Sequence, residues 1–136
     1  MNYFLAKSEP NTYSFADLVR DRSTIWDGVR NPQAVQAVRA MRPGDRLLFY
    51  HSGGESAIVG LAEVVSEPCP DPNDPKSWTV QLEARAALHP PVTLAEIKRT
   101  GQFDDWALVR QGRLSTMAVP PTFVAWLRKK FPGTAL

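Results

Sequence analysis

Four side chains that could bind a planar ligand lie within six residues, from Trp26 to Asn31. The tryptophan is followed directly by Asp27, and Arg30 and Asn31 complete the group. Most tryptophans pack among apolar neighbours, whereas these neighbours are polar. An aromatic face stacks on a nucleobase for about 1–3 kcal/mol, and amide or carboxylate groups then read the edge of the base through hydrogen bonds. An arginine close by can hold a phosphate, so the group predicts binding of a nucleobase.

Three other stretches combine strand-like residues with polar side chains. They are Lys7, Ser8 and Glu9 in AKSEP, Tyr50 and His51 in FYHS, and Arg110 and Arg113 in LVRQGRLS. Strand ends are usually polar because they meet water, so each stretch alone predicts nothing specific. They become candidates for a binding site only in combination with the tryptophan group.

Helices are predicted at four places. Capping boxes mark two short helices, one that begins after Ser14 and one that begins after Thr93. Asn31 and Pro32 start a third helix, because asparagine is a favoured N-cap and proline is tolerated at the first helical position. The last predicted helix, PPTFVAWLRKKF, has an amphipathic pattern.

Strands are predicted for YFLAK, RLLFYH, AIVGLAEVVSE and WTVQLEARAAL. Gly60, inside the third of these, indicates a bulge or bend. ALVRQGRLSTMAV is interpreted as a strand, a turn at Gly112 and an extended return. EPCPDPNDP is predicted to be an irregular loop, because proline cannot donate to a sheet ladder. Strands and helices that mix without a regular alternation favour an α+β fold, with a curved, barrel-like antiparallel sheet and helices at its edges.

Composition limits the other classes of protein. The chain has 136 residues, which suits one domain, and no apolar run approaches the roughly 20 residues that cross a bilayer, so we expect no membrane partner. The single cysteine, Cys69, excludes an internal disulfide and fits a reducing cytoplasm. His51 and His89 lack metal-ligand spacing, so no metal or cofactor is expected. The net charge of +2 is small, but residues 106–136 carry basic side chains and no acidic ones, which could steer a polyanion to one face.

Six stretches, KSEP, WDGVRN, FYHS, IVGLAEVV, PDP and LVRQGRLS, in this order resemble the EVE domain family. KSEP together with WDGVRN is the most specific part of the resemblance. It implies a single EVE domain over residues 1–136 with a PUA-like fold, a curved antiparallel β-barrel flanked by short helices, similar to YTH domains. It also implies a non-catalytic protein that binds modified bases in DNA or RNA through an aromatic-lined pocket.

The resemblance also implies roles for individual residues. The stacking wall is Trp26, and the other implied base-binding residues are Asp27, Asn31, Ser8, Glu9, Tyr50 and His51. Phosphate binding is predicted for Lys7, Arg30, Arg110 and Arg113, the last two by analogy with the basic segment of YTH domains. The expected partner is DNA or RNA that carries a modified base, and no cofactor is expected. The protein is expected to be cytoplasmic. Its oligomeric state stays open between a monomer, which is preferred, and a pair formed through the exposed sheet edge.

Two other classes of function remain open on the sequence. An enzyme that acts on a modified nucleotide would need a nucleophile or an activated water beside the pocket. The candidate residues for that role are Glu9, Asp27 and His51. A Ser-His-Asp hydrolase could be drawn from Ser52, His51 and Asp27, but no nucleophile-elbow sequence accompanies them. A scaffold that binds a small molecule or a protein side chain would show no salt-dependent binding to oligonucleotides.

Overall fold

The computed structural model describes the whole chain, Met1 to Leu136. Its strands are β1 (Tyr3–Ser8), β2 (Ser23–Trp26), β3 (Arg46–His51), β4 (Ala57–Val64), β5 (Cys69–Asp71), β6 (Asp74–Thr93) and β7 (Thr116–Ala118). Its helices are α1 (Phe15–Asp21), α2 (Pro32–Ala40), α3 (Leu94–Thr100), α4 (Ala107–Arg110) and α5 (Pro121–Lys130). The longest of them, α5, has 10 residues, and none has the length and apolar character needed to cross a membrane.

The strands form one sheet in the order β2-β6-β4-β3-β1-β7, and β5 pairs with β6 outside this path. The sheet is curled into a half-barrel with short helices around it, which confirms the predicted fold class. One pairing differs from the predicted antiparallel arrangement: β1 and β3 run parallel, with Tyr3 opposite Arg46. The chain between them contains α1, β2 and α2, and this long connection allows β3 to return in the same direction as β1.

Bulges and one close contact shape the sheet around α1. The ladder register shifts between Phe49 and Tyr50 and again between Ile58 and Gly60, which confirms the bulge predicted at the glycine. Gly60 also has a packing role, because a Cβ placed there would clash with the ring of Phe15. Only glycine therefore allows α1 to pack this closely against β4.

The core is one contiguous cluster that contains two groups of aromatic rings in contact. Phe49 is fully buried on β3 and contacts the rings of Phe15, Trp26 and His51. Phe123 on α5 is also fully buried, and its ring contacts those of Phe103, Trp106 and Trp126. The first group supports the elements that carry the candidate site.

Two local predictions are wrong and one strand was missed. The expected strand at residues 107–110 is helix α4, a single turn whose Leu108 is buried against the core. The expected loop EPCPDPNDP contains β5, whose Pro70 lies opposite Trp78, and an edge strand tolerates proline. Strand β2 was not anticipated, because its four residues gain their extended form from pairing with β6.

The helix starts are confirmed. Ser14 Oγ accepts from the Asp17 amide and the Asp17 carboxylate accepts from the Ser14 amide, which completes the predicted capping box. Thr93 caps α3 as predicted, but the Glu96 carboxylate accepts from Lys130 Nζ instead of closing a box.

Candidate functional site

A cavity of about 440 Å³ lies where the ends of β1 and β2 meet the segment before α1. Its lining residues are Lys7, Ser8, Glu9, Thr12, Tyr13, Thr24, Ile25, Trp26 and Asp27. The volume falls within the range of roughly 300–1,000 Å³ that is common for ligand sites. Three strands separate β1 from β2 in the sheet, so only the curl of the sheet brings their ends to one cavity. The structure therefore joins the KSEP stretch to the tryptophan group.

Trp26 is held at the cavity by contacts on its backbone and on its ring. Its backbone pairs with Val80 of β6, and its half-buried ring meets the Phe49 ring edge-on at 5.8 Å between centroids. The chain then turns at Gly28, which has a φ of +71° that favours glycine. This turn follows Asp27, whose exposed carboxylate lines the cavity and forms no ion pair.

A second aromatic side chain, Tyr13, lines the cavity and was missed by sequence reasoning. Its carbonyl accepts from Ser8 Oγ, and its hydroxyl donates to Asp21 Oδ2 at 3.0 Å. Burial is the largest of the effects that raise the pKa of the Tyr13 phenol. An aromatic residue directly before the Ser14 cap and shortly after KSEP was the available signal. Trp26 and Tyr13 together give the cavity two rings that do not stack on each other.

Tyr50 and His51 lie behind the cavity rather than on its surface. On β3 they stand opposite Lys7 and Ser8 of β1. The Nε2 atom of His51 accepts from the Phe15 amide at 3.0 Å, and burial lowers the pKa of this imidazole. Burial raises the pKa of the Tyr50 phenol. Both side chains therefore support the cavity walls.

The Ser-His-Asp arrangement considered from the sequence does not form. No hydrogen bond joins His51 to Ser52 or Asp27, and the Nε2 lone pair is already taken by the Phe15 amide. No three His, Cys, Asp or Glu side chains lie close enough together to hold a metal ion. The groups at the cavity are thus suited to hydrogen bonding and stacking.

Lys7 contacts the segment that carries Arg110 and Arg113. Lys7 Nζ donates to the Gly112 carbonyl at 3.0 Å and lies 5.6 Å from the centre of the Tyr50 ring. Burial lowers the pKa of the Lys7 ammonium. Arg110 forms an exposed ion pair with Asp105, 2.9 Å from Nη1 to Oδ1, whereas Arg113 is exposed and forms none.

Arg30 and Asn31 follow the cavity in sequence but do not line it. Asn31 Oδ1 accepts from the amides of Gln33 and Ala34, at 2.8 and 3.2 Å, and so caps α2. The Nδ2 group of Asn31 has no partner within the protein, and Arg30 is exposed without an ion pair. Both side chains therefore remain free to contact a ligand beyond the rim.

A family model for the EVE domain matches residues 2–130 of this chain. Thymocyte nuclear protein 1 from Rattus norvegicus is 43% identical over 82 residues, which cover 52% of this chain and 36% of that protein. The match thus spans about a third of the length of this curated relative.

Solved structures share the fold. A protein from Rhodopseudomonas palustris is 38% identical with a TM-score of 0.88, over 95% of this chain and 92% of that one. Human THYN1 protein, solved in complex with 5-methylcytosine containing DNA, is 26% identical with a TM-score of 0.86, over 96% and 97% of the two chains. The YTH domain of Zygosaccharomyces rouxii MRB1 protein, in complex with N6-methyladenosine RNA, is 21% identical with a TM-score of 0.54, over 96% and 86%, and shows likeness of fold alone.

Proposed function

The chain belongs to the EVE domain family, and from that premise we propose that it is a non-catalytic reader of a modified nucleobase in DNA or RNA. The base leaves its stack and enters the cavity at the ends of β1 and β2. One observation carries the proposal: the half-buried ring of Trp26 lines this cavity beside free carboxylates. The fold is shared with a THYN1 protein solved with 5-methylcytosine containing DNA, which supports the same class of partner here.

Aromatic stacking supplies the attraction to the base. The face of the base lies on Trp26, and Tyr13 offers a second ring at the same cavity. Extrusion of a base from a duplex costs a few kcal/mol, and one stacking contact returns about 1–3 kcal/mol. Hydrogen bonds to the edge of the base must therefore contribute the rest of the affinity.

The polar groups of the cavity favour a base whose edge donates hydrogen bonds. The carboxylates of Glu9 and Asp27 are exposed at the cavity and form no ion pair, and ionised carboxylates only accept. They suit an exocyclic amine, such as N4 of cytosine or N6 of adenine. A methyl group on the base adds about 0.8 kcal/mol if it is buried against apolar surface, so discrimination by the methyl alone is modest.

Arginines outside the cavity hold the backbone of the nucleic acid. Arg30 and Arg113 are exposed and free of ion pairs, and the exposed partner of Arg110 is easily exchanged for a phosphate. These contacts carry no base specificity, and they position the strand so that a base can enter. The occupied Nε2 of His51 supports a role in binding rather than in acid–base chemistry.

Anisotropy titrations with labelled oligonucleotides test the proposal. The probes are short DNA and RNA strands that carry cytosine, 5-methylcytosine, 5-hydroxymethylcytosine, adenine or N6-methyladenine at one position. We expect a preference for one modified base, and a loss of about 5- to 150-fold in affinity for it in Trp26→Ala, the loss of one stacking contact.

Trp78→Ala is the matched control, because Trp78 is also half-buried but packs under the Arg39 guanidinium and does not line the cavity. Weak binding of every probe that Trp26→Ala leaves unchanged would contradict the proposal. No binding of any probe would favour the small-molecule or protein-binding scaffold instead.

A further inference from the structure

Lys7 holds the arginine turn, residues 111–115, from two sides. Its ammonium donates to the Gly112 carbonyl at 3.0 Å, and its own amide donates to the Ser115 carbonyl at 2.8 Å. Arg113 lies between these two anchor points with an exposed side chain. The same residue also lines the base cavity. One residue of β1 therefore contacts both the cavity and the turn.

Few other contacts hold the tip of the arginine turn. The Leu114 amide donates to the Gln111 carbonyl at 3.0 Å, the Gln111 amide donates to the Ala107 carbonyl of α4 at 2.8 Å, and the Leu114 side chain is buried. Gln111, Gly112 and Arg113 are exposed. No side chain from outside the turn other than Lys7 hydrogen-bonds to these three residues. Backbone hydrogen bonds and the buried Leu114 hold the two ends of the turn, and the Lys7 ammonium is the side-chain contact at its tip, next to Arg113.

We propose that Lys7 is a positioning residue that couples base insertion to phosphate binding, by holding Arg113 at a set place beside the cavity. The inference rests on the proposed function, because it takes Arg113 to be a phosphate contact. The Lys7 side chain is half-buried, and its ammonium lies over the Tyr50 ring and donates to a carbonyl. It acts through the arginine turn and not as a separate phosphate contact.

Substitution of Lys7 tests the positioning role. We expect Lys7→Met to weaken binding of the preferred modified-base oligonucleotide about tenfold. The slope of log affinity against log salt should become shallower by about one, because Arg113 no longer meets its phosphate. Lys7→Arg keeps a donor and a charge and should recover most of the affinity. Lys76→Met is the matched control for lost charge, since Lys76 is exposed, unpaired and absent from the cavity.

The double variant separates positioning from direct contact. In the Arg113→Ala background, Lys7→Met should cause no further loss of affinity and no further change of the salt slope. Independent losses, with the salt slope reduced by about one for each substitution, would show that Lys7 is itself a phosphate contact and overturn the inference. An unchanged affinity in Lys7→Met alone would also overturn it.

Hydrogen exchange gives a readout without any ligand. The Leu114 amide should exchange faster in Lys7→Met than in the wild type, and at the wild-type rate in Arg113→Ala. Unchanged exchange in Lys7→Met would overturn the inference even if the protein binds modified bases. If the wild type shows no preference for a modified base, the proposed function and the coupling both fail, and the exchange rate still reports whether Lys7 holds the turn.

Discussion

Asn31 shows how one side chain divides its hydrogen bonds between structure and a candidate site. Its Oδ1 atom accepts from two amides in the first turn of α2, so the carbonyl half of the amide is used by the helix. Its Nδ2 group has no hydrogen-bond partner within the protein. A role in reading a base therefore depends on the donor half alone.

Two substitutions at Asn31 separate these roles. Asn31→Ala removes the cap and should lower the free energy of unfolding by about 0.5–2 kcal/mol in urea denaturation. Asn31→Asp keeps an accepting oxygen and places a negative charge at the helix N-terminus, so stability should be maintained. If Asn31 reads the base, Asn31→Asp still weakens binding of the modified oligonucleotide because it lacks the donor. Equal destabilisation by both substitutions would contradict the capping role.

At the scale of elements, α1 is the support of one cavity wall. The helix is joined to the sheet by the Phe15 amide on His51 Nε2 and by the Phe15 ring against Gly60. Tyr13 lies two residues before Phe15 and is tied to β1 through Ser8 Oγ. Loosening α1 from β3 would therefore move an aromatic wall of the cavity.

The His51 contact predicts a pH dependence of stability. Burial lowers the pKa of His51 below the ordinary value of 6.5, so the unfolded chain binds this proton more readily than the folded one. The contribution is fully present above pH 6.5 and is lost as the pH falls from there toward the folded pKa. Protonation also removes the Nε2 lone pair that accepts from Phe15.

Urea denaturation between pH 7.5 and 5.5 measures this loss. His51→Gln should abolish the part of the pH dependence that is due to His51, because glutamine does not titrate. His89→Gln is the matched control, since His89 is exposed on β6. The same pH dependence in His51→Gln as in the wild type would show that this imidazole is not its source.

At the scale of the whole molecule, attraction of nucleic acid depends on a few exposed basic side chains. The net charge is only +2, so attraction of a polyanion depends on where basic side chains lie. Glu9 and Asp27 line the cavity. Arg30 follows the cavity residue Asp27 in sequence, and Arg113 is next to Gly112, which the cavity residue Lys7 contacts. This arrangement suits a phosphate backbone outside and a base edge inside.

Salt dependence tests this arrangement. Three phosphate contacts predict a slope of log affinity against log salt of about −3 for duplex DNA and about −2 for single strands. Trp26→Ala should lower the affinity but keep the slope, because it removes stacking and no charge. Anisotropy titrations from 50 to 200 mM salt measure both values. A slope near zero would contradict a backbone contact.

Features set by neighbouring residues in the chain could be predicted from sequence. The Ser14–Asp17 capping box and the Asn31–Pro32 helix start are confirmed, because the side chain and the amides it caps are only a few residues apart. Short elements were not predictable in this way. The four-residue strand β2 and the single turn of α4 take their form from β6 and from the buried core, which are distant in sequence.

The sequence by itself determined the α+β class, the family, the helix caps and the use of Trp26 with the KSEP stretch as the centre of the candidate site. Only the tertiary structure decided which side chains share the cavity, since the curl of the sheet joins the ends of β1 and β2 across three intervening strands. It added Tyr13 to the wall and placed Tyr50 and His51 behind it. The physical reason is that periodicity and capping depend on near neighbours, whereas a cavity is formed by residues brought together through long-range packing.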